Sequence, residues 1–175
     1  MGPHFLDRLF APRSIAVFGA SDKEGSLGGR VLKNILAENF PGPVYPINPK
    51  HQNVAGRRCY GALHEVGAPV DLAVIATPAA SVPEIVHACG EYGVHAAVIH
   101  SAGFAEAHER ATGLELEKAI LTEARRYGMR LLGPNCLGLI RPDAHLNATF
   151  SKNSARPGTL ALVSQSGALC TAILD

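Results

Sequence analysis

Short apolar runs that alternate with helical segments constrain this chain more than any other feature. Residues 71–77 (DLAVIAT) are apolar without the period-two alternation of a half-buried strand. Such a run fits a parallel strand covered on both faces. Residues 14–20 (SIAVFGA), 44–48 (VYPIN), 96–100 (AAVIH) and 130–132 (RLL) are further strand candidates, although Pro46 weakens the ladder or marks an irregular spot. Helical patterns lie between them. Residues 30–39 place Val31, Ile35 and Leu36 on one face and end at Pro41-Gly42-Pro43. Ser81 reads as an N-cap, with Glu84 three residues on as a capping box, for a helix through Tyr92. A charged amphipathic helix is expected over 111–127, and a short element near 58–60 and a small helix near 62–66 fill the remaining gap. Strand–helix–strand units impose a parallel sheet with right-handed crossovers. Residues 1–150 are therefore expected to form an α/β domain, a doubly wound Rossmann-like parallel sheet.

The pattern changes after residue 150. Residues 151–158 (SKNSARPG) suit a linker, 159–164 (TLALVS) read as a fresh strand, and an apolar helical start runs on to Asp175. One strand and a helical turn or two cannot bury their own faces. Residues 159–175 are thus expected to be the start of a second, truncated domain.

Composition narrows the function classes. With 175 residues, 47% hydrophobic and 18% charged, the chain can bury roughly 70% of its unfolded surface, which excludes intrinsic disorder. The net charge of +1, with no basic or acidic block, leaves no electrostatic footprint for nucleic acid or an anionic membrane. No apolar run approaches the ~20 residues of a membrane span. The start, MGPHFLDRLFAPRS, lacks the plan of a signal peptide. Four cysteines (Cys59, Cys89, Cys136, Cys170) form no C-x-x-C pair, so a reducing, cytoplasmic location is expected rather than a disulfide framework. The eight histidines show no metal-ligand spacing, and no metal site is expected. Cys136, in a Gly/Pro turn without a recognisable base, reads as a structural thiol, and no catalytic residue is assigned.

In an open α/β sheet ligands bind beyond the carboxyl ends of the strands, often on a glycine-rich first loop. Here that loop holds Gly19-Ala20-Ser21, Gly25 and Gly28-Gly29, and it departs from G-x-G-x-x-G because Ser21 stands at the middle glycine. A dinucleotide site for NAD needs an acidic residue about 20 positions on. Ile47-Asn48-Pro49-Lys50 stands there instead. A lysine in place of the acid suits a ribose carrying an extra phosphate, at the 2′ position in NADP or the 3′ position in coenzyme A, or else Lys50 is an ordinary surface lysine. Small residues at 76–80 and at 101–103 leave room for a flat ligand or simply pack tight turns. His100 ends a strand, either facing the site or packed. Ser164-Gln165-Ser166-Gly167 offers hydroxyls and amides at a helix start, a ready anion site.

Taken in order, SIAVFGASDKEGSLGGRVLKN, GPVYPINPKH, VDLAVIATPAASVPE, HSAGFAE, GMRLLGPNCLGLI and LALVSQSGAL span nearly the whole chain. Together they resemble the N-terminal CoA-binding domain of NDP-forming acyl-CoA synthetases, relatives of the succinyl-CoA synthetase α subunit. The resemblance implies a Rossmann-like CoA-binding domain followed by flavodoxin-like and ATP-grasp domains. It also implies the reaction acid + CoA + NTP ⇌ acyl-CoA + NDP + phosphate through a phosphohistidine beyond Asp175. It puts the CoA phosphates and ribose near Ala20, Ser21, Gly25 and Ser26, with Lys50 on a phosphate. Pro78, His100, Ser101 and Ala102 would line the remainder, and the turn holding Asn135 would lie beneath the thiol arm. Ser164, Ser166 and Gly167 match the helix start that holds the phosphorylated histidine. ATP, ADP and magnesium would enter only through further domains, so the 175-residue chain alone is expected to be inactive. Implied partners are CoA or acyl-CoA, the remaining synthetase domains or subunit, and a second copy in a homo-oligomer. Two alternatives stay open: a regulatory CoA-binding module fused to a GNAT protein lysine acetyltransferase, and a stand-alone CoA- or NADP-binding protein.

Overall fold

Burial on both faces is what turns the apolar runs into a parallel sheet. The computed structural model describes residues 6–175. The sequence reading of the amino terminus as free of a signal peptide rests partly on residues 1–5, which lie outside the described residues. In chain order the elements are α1 (Asp7–Phe10), β1 (Ile15–Phe18), α2 (Leu27–Ala37), β2 (Val44–Ile47), β3 (Asn53–Val54), β4 (Arg57–Arg58), β5 (Leu72–Ile75), α3 (Val82–Tyr92), β6 (Ala96–Ile99), α4 (Arg110–Arg126), β7 (Arg130–Leu132), β8 (Gly138–Arg141), β9 (Leu146–Thr149) and α5 (Gly167–Leu174). Five strands form one parallel sheet in the order β2-β1-β5-β6-β7, with Ile15 level with both Val44 and Leu72, and Leu72 level with Ala96.

Residues of the central strands alternate between two cores. Ile15, Val17, Leu72, Val74, Ala96 and Val98 pack with Val31, Leu32 and Ile35 of α2 on one face. Ala16, Phe18, Ala73, Ile75, Ala97 and Ile99 pack with Val82 and Val86 of α3 and Ile120 of α4 on the other. The sheet is thus doubly wound, as expected. Each fully buried aliphatic side chain contributes about 1.5–3 kcal/mol, so these layers dominate stability. Pro46 sits in β2, an edge strand, where a missing donor costs least. The backbone N–H of Tyr60 donates to the Pro46 carbonyl at 2.9 Å and covers that edge.

Three sequence expectations change, and the structure adds a hairpin. The second helix starts at Leu27 rather than residue 30, because Ser26 caps it by accepting from the Gly29 N–H at 3.2 Å. The Ser81–Glu84 capping box does not form: Ser81 Oγ donates to Thr77 Oγ1 at 2.9 Å or the Pro78 carbonyl at 2.8 Å, and a 3₁₀ turn (Ala79–Ser81) leads into α3. The hairpin of β8 and β9, unread in the sequence, lays Leu139, Leu146 and Ala148 on the face shared with α2. Residues 159–164 are not a strand. Among the described residues no strand pairs with them, and Leu160 and Val163 are each 97% exposed.

Candidate ligand-binding site

Every loop at the carboxyl edge of the sheet is held by a named contact. Strand order reverses direction between β1 and β5, which makes their carboxyl ends the crevice where an open α/β sheet takes its ligand. The first loop leaves β1 at Gly19, whose φ of +81° favours glycine. A Cβ there would stand 2.5 Å from the Ala76 carbonyl oxygen. At the start of α2, a Cβ on Gly28 would stand 2.1 Å from the Gly19 carbonyl oxygen. Loop and helix therefore fold back on one another at backbone contact, which no larger residue permits. Within the loop Ser26 Oγ donates to the Ser21 carbonyl at 3.3 Å, and the Lys23 N–H donates to Ser21 Oγ at 3.1 Å.

A groove of about 720 Å³ opens beside this loop, walled by Ser21, Gly25 and Ser26, by Arg30 and Lys33 of α2, and by Val54 of β3. Its charged lining sets Lys23, Arg30 and Lys33 against Asp22 and Glu24, a positive balance that with the positive end of α2 suits it to an anion. The Ala55 N–H donates to Asp22 Oδ1 at 2.9 Å and ties the far wall to the loop. Of the residues expected at the site, Ser21, Gly25 and Ser26 line the groove itself. Ala20 is buried behind it, and its carbonyl accepts from Asn48 Nδ2 at 2.8 Å. Lys50 is exposed on the turn after β2 and makes no ion pair among the described residues; its N–H donates to Asn48 Oδ1 at 3.0 Å.

The other expected residues follow along the same edge. Pro78 and Ala102 are exposed, and Gly103 lies against Ala79. The Asn135 N–H donates to the Ser101 carbonyl at 3.0 Å, which docks the 133–136 turn on β6. His100 is 3% exposed, packed edge-on to Phe150 with ring centroids 5.6 Å apart, and its Nδ1 lies 3.0 Å from the Cys136 carbonyl oxygen. It is thus packed under the hairpin rather than open to the groove. Burial holds the imidazole below the usual histidine range, against the carbonyls of Cys136 and Ala148 that favour the proton. Ser101 Oγ and His100 Nε2 are buried without a hydrogen bond of normal geometry. Burial likewise pushes the Cys136 thiol up to about 11, which fits a structural thiol.

The Ser164–Gly167 stretch is set apart from the glycine loop. Ser166 caps α5 by accepting from the Leu169 N–H at 3.2 Å, and Gly167 lies against Leu137, beside the 133–136 turn. Among the described residues no cluster of His, Cys, Asp and Glu is placed to hold a metal ion, and no helix is long and apolar enough to cross a membrane. Sequence reasoning passed over Asn48, Arg30 and Lys33. The i,i+3 spacing of the two cations on the first turns of α2 was the available signal.

Three comparisons bear on this geometry. The family model described as "CoA binding domain" matches residues 13–142. Acetate–CoA ligase (ADP-forming) I of Archaeoglobus fulgidus is 44% identical over 170 residues, which is 97% of this chain and 24% of that protein. The α subunit of acetate–CoA ligase (ADP-forming) I of Pyrococcus furiosus is 43% identical over 173 residues, 97% of this chain and 37% of that subunit. Among solved structures, the dinucleotide-forming acetyl-coenzyme A synthetase 1 of Ca. Korarchaeum cryptofilum, in complex with phosphate and ADP, superposes with a TM-score of 0.89 at 42% identity. That match covers 97% of this chain and 36% of the other. The chain spans between about a quarter and somewhat over a third of the length of these relatives.

Proposed function

Since the chain belongs to the CoA binding domain family, we propose that it holds coenzyme A for an ADP-forming acyl-CoA synthetase. The observation that carries this reading is the pairing of two phosphate-suited segments at one sheet edge. The capped start of α2 lies on one side, and Lys50 lies on a turn tied back to it through Asn48. The residues fit the group. Gly25, with φ +74° and open space where a Cβ would stand, leaves backbone free to meet a diphosphate. No acidic side chain stands on residues 47–50 to repel a ribose phosphate.

Bound CoA supplies the thiol that takes the acyl group. Ser21, Gly25 and Ser26 would hold the diphosphate, with Ala20 shaping the loop behind them. Lys50 would meet the 3′-phosphate. Pro78, Ala102 and Asn135 would line the path of the pantetheine arm across the sheet edge. His100 and Ser101, buried at the end of β6, would set the floor of that path. Ser164, Ser166 and Gly167 would face the portion of the synthetase that carries the phosphohistidine, together with its ATP and magnesium sites. Residues 159–175 would then belong to the next domain, 151–158 to a linker and 1–150 to the CoA-binding domain. The relatives over this stretch are ligases, which favours this reading over a regulatory module of an acetyltransferase.

The test compares CoA with dephospho-CoA, which lacks the 3′-phosphate, by calorimetric titration. Lys50→Ala is expected to weaken CoA about tenfold, the loss of one partly exposed charged contact of roughly 1–2 kcal/mol, and to leave dephospho-CoA unchanged. Equal losses for both ligands, or none for either, would remove Lys50 from the site. Tighter binding of NADP than of CoA would replace the ligand.

A further inference from the structure

All the polar groups of Asn48 are engaged, and they join three segments. Its Nδ2 donates to the Ala20 carbonyl at 2.8 Å, and its Oδ1 accepts from the Lys50 N–H at 3.0 Å. Its own N–H donates to the Tyr60 carbonyl at 2.9 Å, and its carbonyl accepts from the His51 N–H at 3.2 Å. Among the described residues no other side-chain hydrogen bond links the 19–29 loop to the 48–51 turn. The two linked atoms differ in kind. Ala20 is fully buried behind the loop that walls the groove, while Lys50 lies free at the surface. A two-residue Asx turn sets where Lys50 leaves the backbone, and the amide arm sets that turn against the glycine loop.

We propose that Asn48 is a positioning residue that fixes the distance between the diphosphate-holding loop and the cation for the ribose phosphate, and so sets the preference for ligands carrying both phosphates. A ligand bound at two points gains from the second only if the spacing is held in advance. Losing the link should therefore penalise a two-point ligand and spare a one-point ligand. This inference rests on the CoA reading above.

The experiment is a double-mutant cycle on the full chain with Asn48→Ala, Lys50→Ala and the pair, each titrated with CoA and dephospho-CoA. Asn48→Ala is expected to cut the CoA-to-dephospho-CoA affinity ratio about fivefold or more. The double variant should then have nearly the same ratio as either single variant, because Lys50 can no longer be aimed. A second variant, Asn48→Ser, keeps a hydroxyl that can accept from the Lys50 N–H but is too short to reach Ala20 as well. It is expected to lose the ratio as alanine does, and it serves if alanine folds poorly. Equal weakening of both ligands by Asn48→Ala, with losses that add to those of Lys50→Ala, would make Asn48 merely structural and overturn the inference while leaving the CoA reading intact. Full discrimination in Asn48→Ser would also overturn it, by assigning the effect to the turn alone. Failure of Lys50→Ala to change the ratio at all would instead remove Lys50 from the CoA site and with it the premise of this inference.

Discussion

At the amino ends of β1 and β5, Asp71 (4% exposed) accepts from Arg8 Nη1 at 2.7 Å, from Arg13 Nε at 3.2 Å and from the Arg13 N–H at 2.9 Å. Its own N–H donates to Ser14 Oγ at 3.0 Å, and that hydroxyl donates to the Pro69 carbonyl at 2.9 Å. At the carboxyl edge of the same sheet, by contrast, Ser101 Oγ is buried without a hydrogen bond, His100 Nε2 has none of normal geometry, and Lys50 has no ion pair among the described residues. One sheet therefore has an end whose charged groups answer one another and an end that leaves a cation and a buried hydroxyl unanswered. Buried polar groups are nearly always satisfied, so the unanswered Ser101 hydroxyl, with a free cation on the same edge, supports the ligand site proposed at that end.

Backbone protection should show the largest contrast, and it sets the whole sheet against residues 159–175. Leu162, Leu169 and Ile173 are 52%, 49% and 58% exposed, and residues 159–164 have no strand partner among the described residues. Amides 161–173 should exchange orders of magnitude faster than amides 72–76, since segments without packing open first. Comparable rates would show that this segment is anchored.

Gly28→Ala should follow in size. A Cβ there meets the Gly19 carbonyl at 2.1 Å, so loop and helix must separate. We expect a loss of about 3 kcal/mol in a urea melt and no measurable CoA binding. Unchanged affinity would break the link between the glycine loop and the site. Asp71→Ala should cost about 2 kcal/mol, mainly through the buried groups it leaves unpaired, because the Arg8 and Arg13 side chains are 41% and 84% exposed and solvent screens them. Its CoA affinity should stay within about twofold of the parent chain. A tenfold loss would mean that the two ends of the sheet are not independent.

The smallest effect concerns His100. Burial lowers its folded-state pKa below the ordinary 6.5, so the unfolded chain binds the proton more readily. Its contribution is complete above pH 6.5 and declines as pH falls from there through the folded value, by at most about 1.4 kcal/mol per pH unit. Subtracting the pH profile of His100→Phe from that of the parent should isolate this slope. A difference that is flat between pH 7 and 5 would contradict it.

The strands of the sheet were legible because each is an apolar run that must be buried on both faces, and 14–20, 71–77 and 96–100 could hardly be anything else. The glycine loop and the lysine after β2 were legible because each is a chemical type at a fixed place in the fold. What escaped depended on contacts distant in sequence. The 138–149 hairpin carries a Pro142-Asp143 turn between two short runs, a usable signal, but its role came from covering the α2 face. The start of α2 was hidden by Gly28-Gly29, poor helix formers kept for close approach. The 159–164 run has strand character and no strand to pair with. Asn48 read as the end of the 44–48 strand run, and only its bond to Ala20, 28 positions away, shows that it joins the 48–51 turn to the glycine loop.

Amide chemical shifts of the isotopically labelled chain, followed as CoA is added, test the central claim most directly. The account predicts saturable shifts at Ser21, Gly25, Ser26 and Lys50, with smaller ones reaching Ala102 and Asn135, and none at Arg13, Ser14 or Asp71. Shifts centred on the opposite groove, where His87 meets Glu123 between α3 and α4, or on the amino ends of β1 and β5, would contradict it. So would a spectrum that CoA leaves unchanged at millimolar concentration.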